Sequence, residues 1–352
     1  MDSNEELLES IKKNDLENVK RWVEKGANLH ADDDYALRFS AGNGYLEIVK
    51  YLLEQGPNLH ADRDEALLWV AEKGHLEVVK YLLEQGANLH ADDDWALQCA
   101  AQNGHLEVVK YLLEQGANLH ADDDWALRIA ARIGRLEVVK HLVERGADLH
   151  AGNDCALRWA ARGGHLEIVK YLIEQRANIH ADKDKALRSA ARYGYLEIVK
   201  YLIEQRANLH TDDDYPLRFA AGYGQLDVVK HLLEQGANLH ALDDWALRQA
   251  ALNGHLEVVK YLLEKGAYFD ILSEQMLVRL LISYDLQIAR NIPRLTSLVL
   301  KIDLVKKSYQ MLMRNEALTT YKKKVLSLLS ILMYHLYYRP SGPGFFQAIG
   351  QI

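Results

Sequence analysis

Cysteine is scarce in this chain, with two thiols, Cys99 and Cys155, among 352 residues. Two are too few for a disulfide framework. The opening stretch MDSNEELLES has neither the basic start nor the apolar run of a secretory signal, so an intracellular, reducing compartment is expected. Long apolar runs are missing too. The longest, Val325 to Tyr338, falls short of the roughly 20 residues needed to cross a bilayer, and it reads as a packed helix. No Gly-rich phosphate loop, activated serine context or Cys/His pair occurs, so neither catalysis nor a cofactor is expected. What is present suits a folded chain: 49% hydrophobic and 26% charged residues argue against wholesale disorder. The length exceeds what one compact core absorbs, which leaves several domains or an elongated array.

The net charge of −8 conceals an asymmetry. Residues 271–352 carry 11 Lys and Arg against 4 Asp and Glu, a charge of +7, and residues 1–270 therefore carry −15. Two regions of different chemistry meet near residue 270.

Histidine recurs at His30, His60, His90, His120, His150, His180, His210 and His240, a period of 30 residues without a slip. Repetition at this scale makes each unit a supersecondary element that cannot bury its own hydrophobic face. Eight copies run over residues 31–270, and residues 1–30 form a ninth, divergent copy expected to cap the array. In the copy HADDDWALRIAARIGRLEVVKHLVERGADL, Leu127, Ala130 and Ala131 share one face of a short helix that Gly134 stops. Leu136, Val139, Leu142 and Val143 share a face of a second helix, which Gly146 ends. Helices this short are not stable alone in water, so neighbouring units must complete the core. The fold expected is all-α, a helix-turn-helix solenoid.

The repeated triple acid ADDDWAL receives a structural reading. Asp34, Asp64, Asp94, Asp124, Asp154, Asp184, Asp214 and Asp244 stand immediately before the first helix in all eight copies. A side-chain cap on the unpaired N–H groups there is typically worth about 1 kcal/mol. Arg38, Arg128, Arg158, Arg188, Arg218 and Arg248 follow four residues later, placed to pair with the capping carboxylate. A calcium loop is excluded because its glycine and terminal glutamate are missing. The histidine ladder is a poor zinc site, because packed helices lie about 8–10 Å apart and both ligands must approach within about 2.1 Å of one ion. No metal is expected.

The stretch GHLEVVKYLLEQGANLHA at Gly74 to Ala91, repeated at Gly104 to Ala121, resembles the second-helix signature of the ankyrin repeat, and Tyr215-Pro216-Leu217-Arg218-Phe219-Ala220-Ala221 resembles its first-helix signature. The resemblance covers about residues 1–270. It implies a protein-binding scaffold that recognises a partner through a concave face of finger loops and first helices. Two departures stand out: the unit has 30 residues where the family has 33, so the finger loops are expected to be shortened, and histidine replaces the family's loop asparagine. Units of this length resemble the ankyrin arrays of giant DNA viruses, which implies a host-cell protein as partner and the host cytoplasm as location. The chain itself is expected to be monomeric.

Counting Ala31 as the first position of a unit, the repeats agree at core positions and differ at the fifth and thirteenth. Tyr35, Trp95, Trp125, Tyr215 and Trp245 occupy the fifth, and Tyr193 and Tyr223 the thirteenth. Two readings stand: anchors for a partner, since buried aromatics dominate interface energies, or rings packed over the neighbouring repeat. Asp92, Asp93, Asp122, Asp123, Asp212 and Asp213 make an acidic stripe that repels nucleic acid and reads either as a match for a basic protein surface or as a solvated, solubilising face. Arg176 and Arg206 replace the glycine ending the second helix, predicting strain of about 1–2 kcal/mol each.

Beyond residue 270 the thirty-residue register vanishes while helical apolar spacing continues. Residues 271–352 are expected to form a cap of about four helices ending in a turn-rich tail. Two further readings attach to this region. Lys322-Lys323-Lys324 beside an apolar run suits a membrane surface or an acidic partner. Ile292-Pro293-Arg294-Leu295 resembles the start of an F-box, which implies a substrate-receptor adaptor recruiting ubiquitin-ligase machinery.

Overall fold

The computed structural model describes residues 3–268. The expected C-terminal cap, the lysine cluster, the F-box-like tetrapeptide and the turn-rich tail lie outside them. Internal contacts divide the chain into two compact units, with the division after Asp212.

Eighteen helices are found among the described residues, two per repeat. The first helices are α1 (Ser3–Lys12), α3 (Tyr35–Gly42), α5 (Glu65–Lys73), α7 (Trp95–Asn103), α9 (Ala121–Ile133), α11 (Ala151–Gly163), α13 (Ala181–Tyr193), α15 (Thr211–Gly222) and α17 (Ala241–Leu252). The second helices are α2 (Leu16–Glu24), α4 (Leu46–Glu54), α6 (Leu76–Glu84), α8 (Leu106–Glu114), α10 (Leu136–Glu144), α12 (Leu166–Glu174), α14 (Leu196–Glu204), α16 (Leu226–Glu234) and α18 (Leu256–Glu264). No strand occurs among the described residues. The fold is an all-α helical-repeat solenoid.

The core repeats with the sequence. In α7, Leu97 is buried together with Ala96, Ala100 and Ala101, and these small side chains let neighbouring first helices approach closely. In the first unit the contacts between successive first helices exceed those between successive second helices. In α8, Val108, Val109 and Leu112 close the other side of the core. Each second helix carries an acid–lysine pair three residues apart, such as Glu107–Lys110 at 2.7 Å, the acid being Glu except for Asp227 in α16. Such exposed pairs contribute only a few tenths of a kcal/mol.

The aspartates preceding the first helices do not act as the side-chain caps expected of them. Asp34, Asp64, Asp94, Asp124, Asp154, Asp184, Asp214 and Asp244 all adopt left-handed backbone, with φ between 51° and 62°. At Asp34, Asp64 and Asp94 no side-chain bond reaches the first turn. A capping side chain folds over the helix from extended backbone, and left-handed backbone aims it elsewhere. The main-chain carbonyl does the capping instead, as where Leu67 N–H donates to Asp64 O at 2.8 Å.

The two residues before each of these aspartates share the conformation, so that positions 92–94 and 122–124 are each three successive left-handed residues. Asp and Asn tolerate this region better than most residues because their short polar side chains bond locally. That preference explains the acidic triplets without chemistry. The arginine of the first helix secures the turn, rather than pairing with the aspartate four residues back. Arg158 Nε donates to Asn153 O at 2.9 Å and its NH2 group to Gly152 O at 2.6 Å. In α7, Gln98 Nε2 donates to Asp93 O at 2.8 Å in the same role.

The second helices end in a two-bond turn. Gly86 N–H donates to Leu83 O and Ala87 N–H to Leu82 O, both at 3.0 Å, with φ at Gly86 of +96°. Arg176 and Arg206 make the same turn at φ +73° and +69°. Both arginines therefore carry the expected strain.

Candidate interaction surface

The fifth, ninth and thirteenth positions follow one another at four-residue spacing and so share one face of each first helix. In the first unit, Tyr35 meets Trp69 edge-on at 6.1 Å, and the Arg38 guanidinium lies 5.8 and 5.7 Å from the two rings. Trp125 meets Trp159 edge-on at 5.6 Å. The Arg132 guanidinium stands 5.5 Å from the Trp159 ring, and that of Arg162 5.8 Å from Tyr193. Trp95 is 41% exposed and Tyr193 37%.

In the second unit, Tyr215 stacks on Phe219 at 3.7 Å and Phe219 lies 5.2 Å from Trp245. A cleft of about 540 Å³ opens here, lined by Phe219, Tyr223, Trp245, Gln249, Asn253 and His255. Tyr223 is 44% exposed at its edge.

All seven aromatics singled out in the sequence stand on the first-helix face. Trp95, Tyr193 and Tyr223 are exposed, while Tyr35, Trp125, Tyr215 and Trp245 are half-buried against neighbouring rings. Sequence reasoning missed the ninth position, which supplies Trp69, Trp159 and Phe219. The signal was available, because positions five and thirteen on one helix face imply the residue midway between them.

Three of the six aspartates in the acidic stripe are answered by arginine. Asp92 lies 3.4 Å from Arg63, Asp123 3.7 Å from Arg128 and Asp212 3.6 Å from Arg188. Lys185, at 2.7 Å, and Arg158, at 3.0 Å, hold the Asp182 carboxyl below its ordinary range, the hydrogen bond from Lys185 being the main cause. Arg38 also bridges to Asp62 and Glu65 of the next repeat.

The ladder histidines hold the buried aspartates. His90 Nδ1 lies 3.0 Å from Asp94 Oδ1, and His120 Nδ1 lies 3.1 Å from Asp124 Oδ1. The same Asp94 oxygen accepts the backbone N–H of Asn118 at 2.9 Å. This link of 24 residues recurs from Asp64 to Asn88, from Asp124 to Asp148, from Asp154 to Asn178 and from Asp184 to Asn208 in the first unit. It recurs in the second unit from Asp214 to Asn238 and from Asp244 to Tyr268. In the divergent first repeat, Asn4 Oδ1 accepts from Asn28 N–H at 2.7 Å.

The histidines before the second helices bond backward. His105 Nε2 lies 2.8 Å from Glu72 O and His165 Nε2 3.0 Å from Arg132 O. Among the described residues no group of three or more His, Cys, Asp or Glu stands where it could hold a metal ion. The thiols are unpaired and unactivated: burial pushes Cys99 up to about 12 and raises Cys155 as well.

A family model described as ankyrin repeats (3 copies) matches residues 7–93, 91–153, 127–213 and 205–275. Comparison with curated proteins gives no match.

Proposed function

Because this chain belongs to the ankyrin-repeat family, whose repeats generally mediate protein–protein interactions, we propose that it is a non-catalytic scaffold binding a protein partner through the first-helix face and the adjoining turns. One observation carries the reading. The core is nearly constant from repeat to repeat, while the fifth, ninth and thirteenth positions of the first-helix face change, with aromatic rings left accessible at Trp95, Tyr193 and Tyr223. Packing alone requires no such variation, whereas a surface fitted to one partner does. The same reading has the chain acting as an intracellular monomer without a cofactor, and the resemblance to giant-virus arrays favours a host-cell protein as the partner.

Crosslinking followed by partner identification tests it, with the full chain compared with a W95A/Y193A/Y223A variant and with a K80A/K140A/K200A control on the second-helix face. Loss of the crosslinked partners from the aromatic variant alone supports the reading. Retention by that variant, or loss from the control, overturns it. Repeating the capture without residues 271–352 tests the adaptor reading: ligase components that disappear with the deletion support it. No helix among the described residues is long and apolar enough to cross a membrane, and the alternative of a peripheral, membrane-associated scaffold is tested by vesicle flotation of the full chain.

A further inference from the structure

The twelfth position of the unit is occupied by Gly42, Glu72, Gln102, Gly222 and Leu252 in five repeats, and by Arg132, Arg162 and Arg192 in the three consecutive ones between. Packing does not require arginine where glycine, glutamate, glutamine and leucine also serve. The arginine at the eighth position differs in this respect, because it ties down the left-handed turn. Arg132 and Arg162 are exposed, and among the described residues neither has an ion pair. Each lies beside a ring of the following repeat, Arg132 beside Trp159 and Arg162 beside Tyr193. Guanidinium groups held against aromatic rings keep their in-plane donors free for a carboxylate.

The surroundings concentrate charge of one sign. Across α9, α11 and α13 there are eight Lys and Arg. The aspartates at 124, 154 and 184 are buried against histidine, which leaves Asp122, Asp123 and Asp182 as the accessible acids. The chain as a whole is at −8, so this basic face is a local departure from it.

We infer that the first-helix face of α9, α11 and α13 binds an acidic, extended protein segment, whose carboxylates bond to the row of Arg132, Arg162 and Arg192 while its apolar side chains lie on Trp125, Trp159 and Tyr193. This names the chemistry of the partner and rests on the interaction reading above. Adjacent helices stand about 8–10 Å apart and an extended chain advances about 3.3 Å per residue, so successive arginines match carboxylates about every third residue. In the turns flanking the row, Asp92 is paired with Arg63 and Asp212 with Arg188, so the row is a short run of cations that suits a peptide with discrete charges better than a continuous phosphate backbone.

Fluorescence anisotropy with the full chain and a labelled (Gly-Ser-Glu)₄ peptide tests this, with (Gly-Ser-Gln)₄ and a twelve-nucleotide oligothymidylate as comparisons. The glutamate peptide is expected to bind at least tenfold more tightly than the other two and to weaken as salt rises. R132Q/R162Q is expected to lose at least tenfold in affinity, with its fold verified by circular dichroism. Glutamine already occupies this position at Gln102, so the variant is not expected to perturb packing. Equal binding of the glutamine peptide, unchanged binding by R132Q/R162Q, or tighter binding of the oligonucleotide would each overturn the inference. If the glutamate peptide fails while crosslinked partners still depend on Trp95, Tyr193 and Tyr223, only the acidic chemistry falls. If those partners do not depend on that face, the interaction reading falls with it.

Discussion

Asp94 reaches 24 residues forward in the chain, its Oδ1 accepting the backbone N–H of Asn118 at 2.9 Å while also contacting His90 Nδ1 at 3.0 Å. One buried carboxylate thus joins a repeat to its successor. Removing it strands a backbone donor and a ring nitrogen, a loss of about 1–3 kcal/mol. Asp94→Ala is expected to lower stability by that amount in urea unfolding. Asp94→Asn should cost less, because Asn4 performs the same backbone bond in the first repeat. Equal losses for the two substitutions would argue against the link.

Arg176 occupies left-handed backbone at φ +73° with an exposed side chain. At Gly146, its counterpart in the preceding unit, an added Cβ would meet nothing within 4 Å, so the backbone conformation alone decides the outcome. Arg176→Gly is expected to raise stability by about 1 kcal/mol, from the relief of left-handed strain less the extra chain entropy of glycine. The midpoint of thermal or urea unfolding reads it, and an unchanged or lower midpoint would refute it.

Gly74 and Gly86 both have positive φ, at +81° and +96°, yet differ in surroundings. A Cβ at Gly74 would stand 2.4 Å from His105 Nδ1, while one at Gly86 meets nothing within 4 Å. Gly74→Ala is therefore expected to destabilise clearly more than Gly86→Ala, by about 1–3 kcal/mol beyond the shared backbone cost. Truncating the ring in Gly74→Ala/His105→Ala should recover part of that difference, a coupling measurable in a double-mutant cycle.

Two histidines set a pH dependence of known sign. Desolvation lowers His75 below its ordinary 6.5, with His105 adding to the effect, and desolvation followed by Arg145 and Lys110 lowers His141. The folded state thus favours the neutral rings, and below about pH 6.5 the unfolded chain binds the proton first. Their contribution is present above pH 6.5 and is lost as the pH falls below it. Urea unfolding of the full chain at pH 7.5 and 5.5 should show a smaller acid-induced loss in His75→Gln and His141→Gln than in the parent. An identical loss would count against these assignments.

The period of 30 and the alternation of Leu97 and Ala100-type positions announced the helices and the core, because burial imposes its spacing directly on the letters. The role of Asp94 was not legible in that way. A carboxylate just before a helix serves a side-chain cap and a forward link equally well, and only the left-handed backbone at that residue separates the two. The arginine four residues after the aspartate in other copies, such as Arg158 after Asp154, was misread for the same reason: its partners are the carbonyls of the turn, which no sequence displays. On the first-helix face, Trp95 and Tyr223 were found by comparing repeats. Trp69, Trp159 and Phe219 were passed over although helical spacing placed them in the same row.

The forward reach of the buried aspartates from Asp64 to Asp244 gives the chain a grain. Trimming a repeat from the downstream side leaves a carboxylate that water can solvate, whereas trimming from the upstream side leaves an amide and its loop without their acceptor. Within each unit the two ends are thus chemically unequal. During synthesis on a ribosome the acceptor of every link emerges before its donor, so each new repeat arrives to find its anchorage already built.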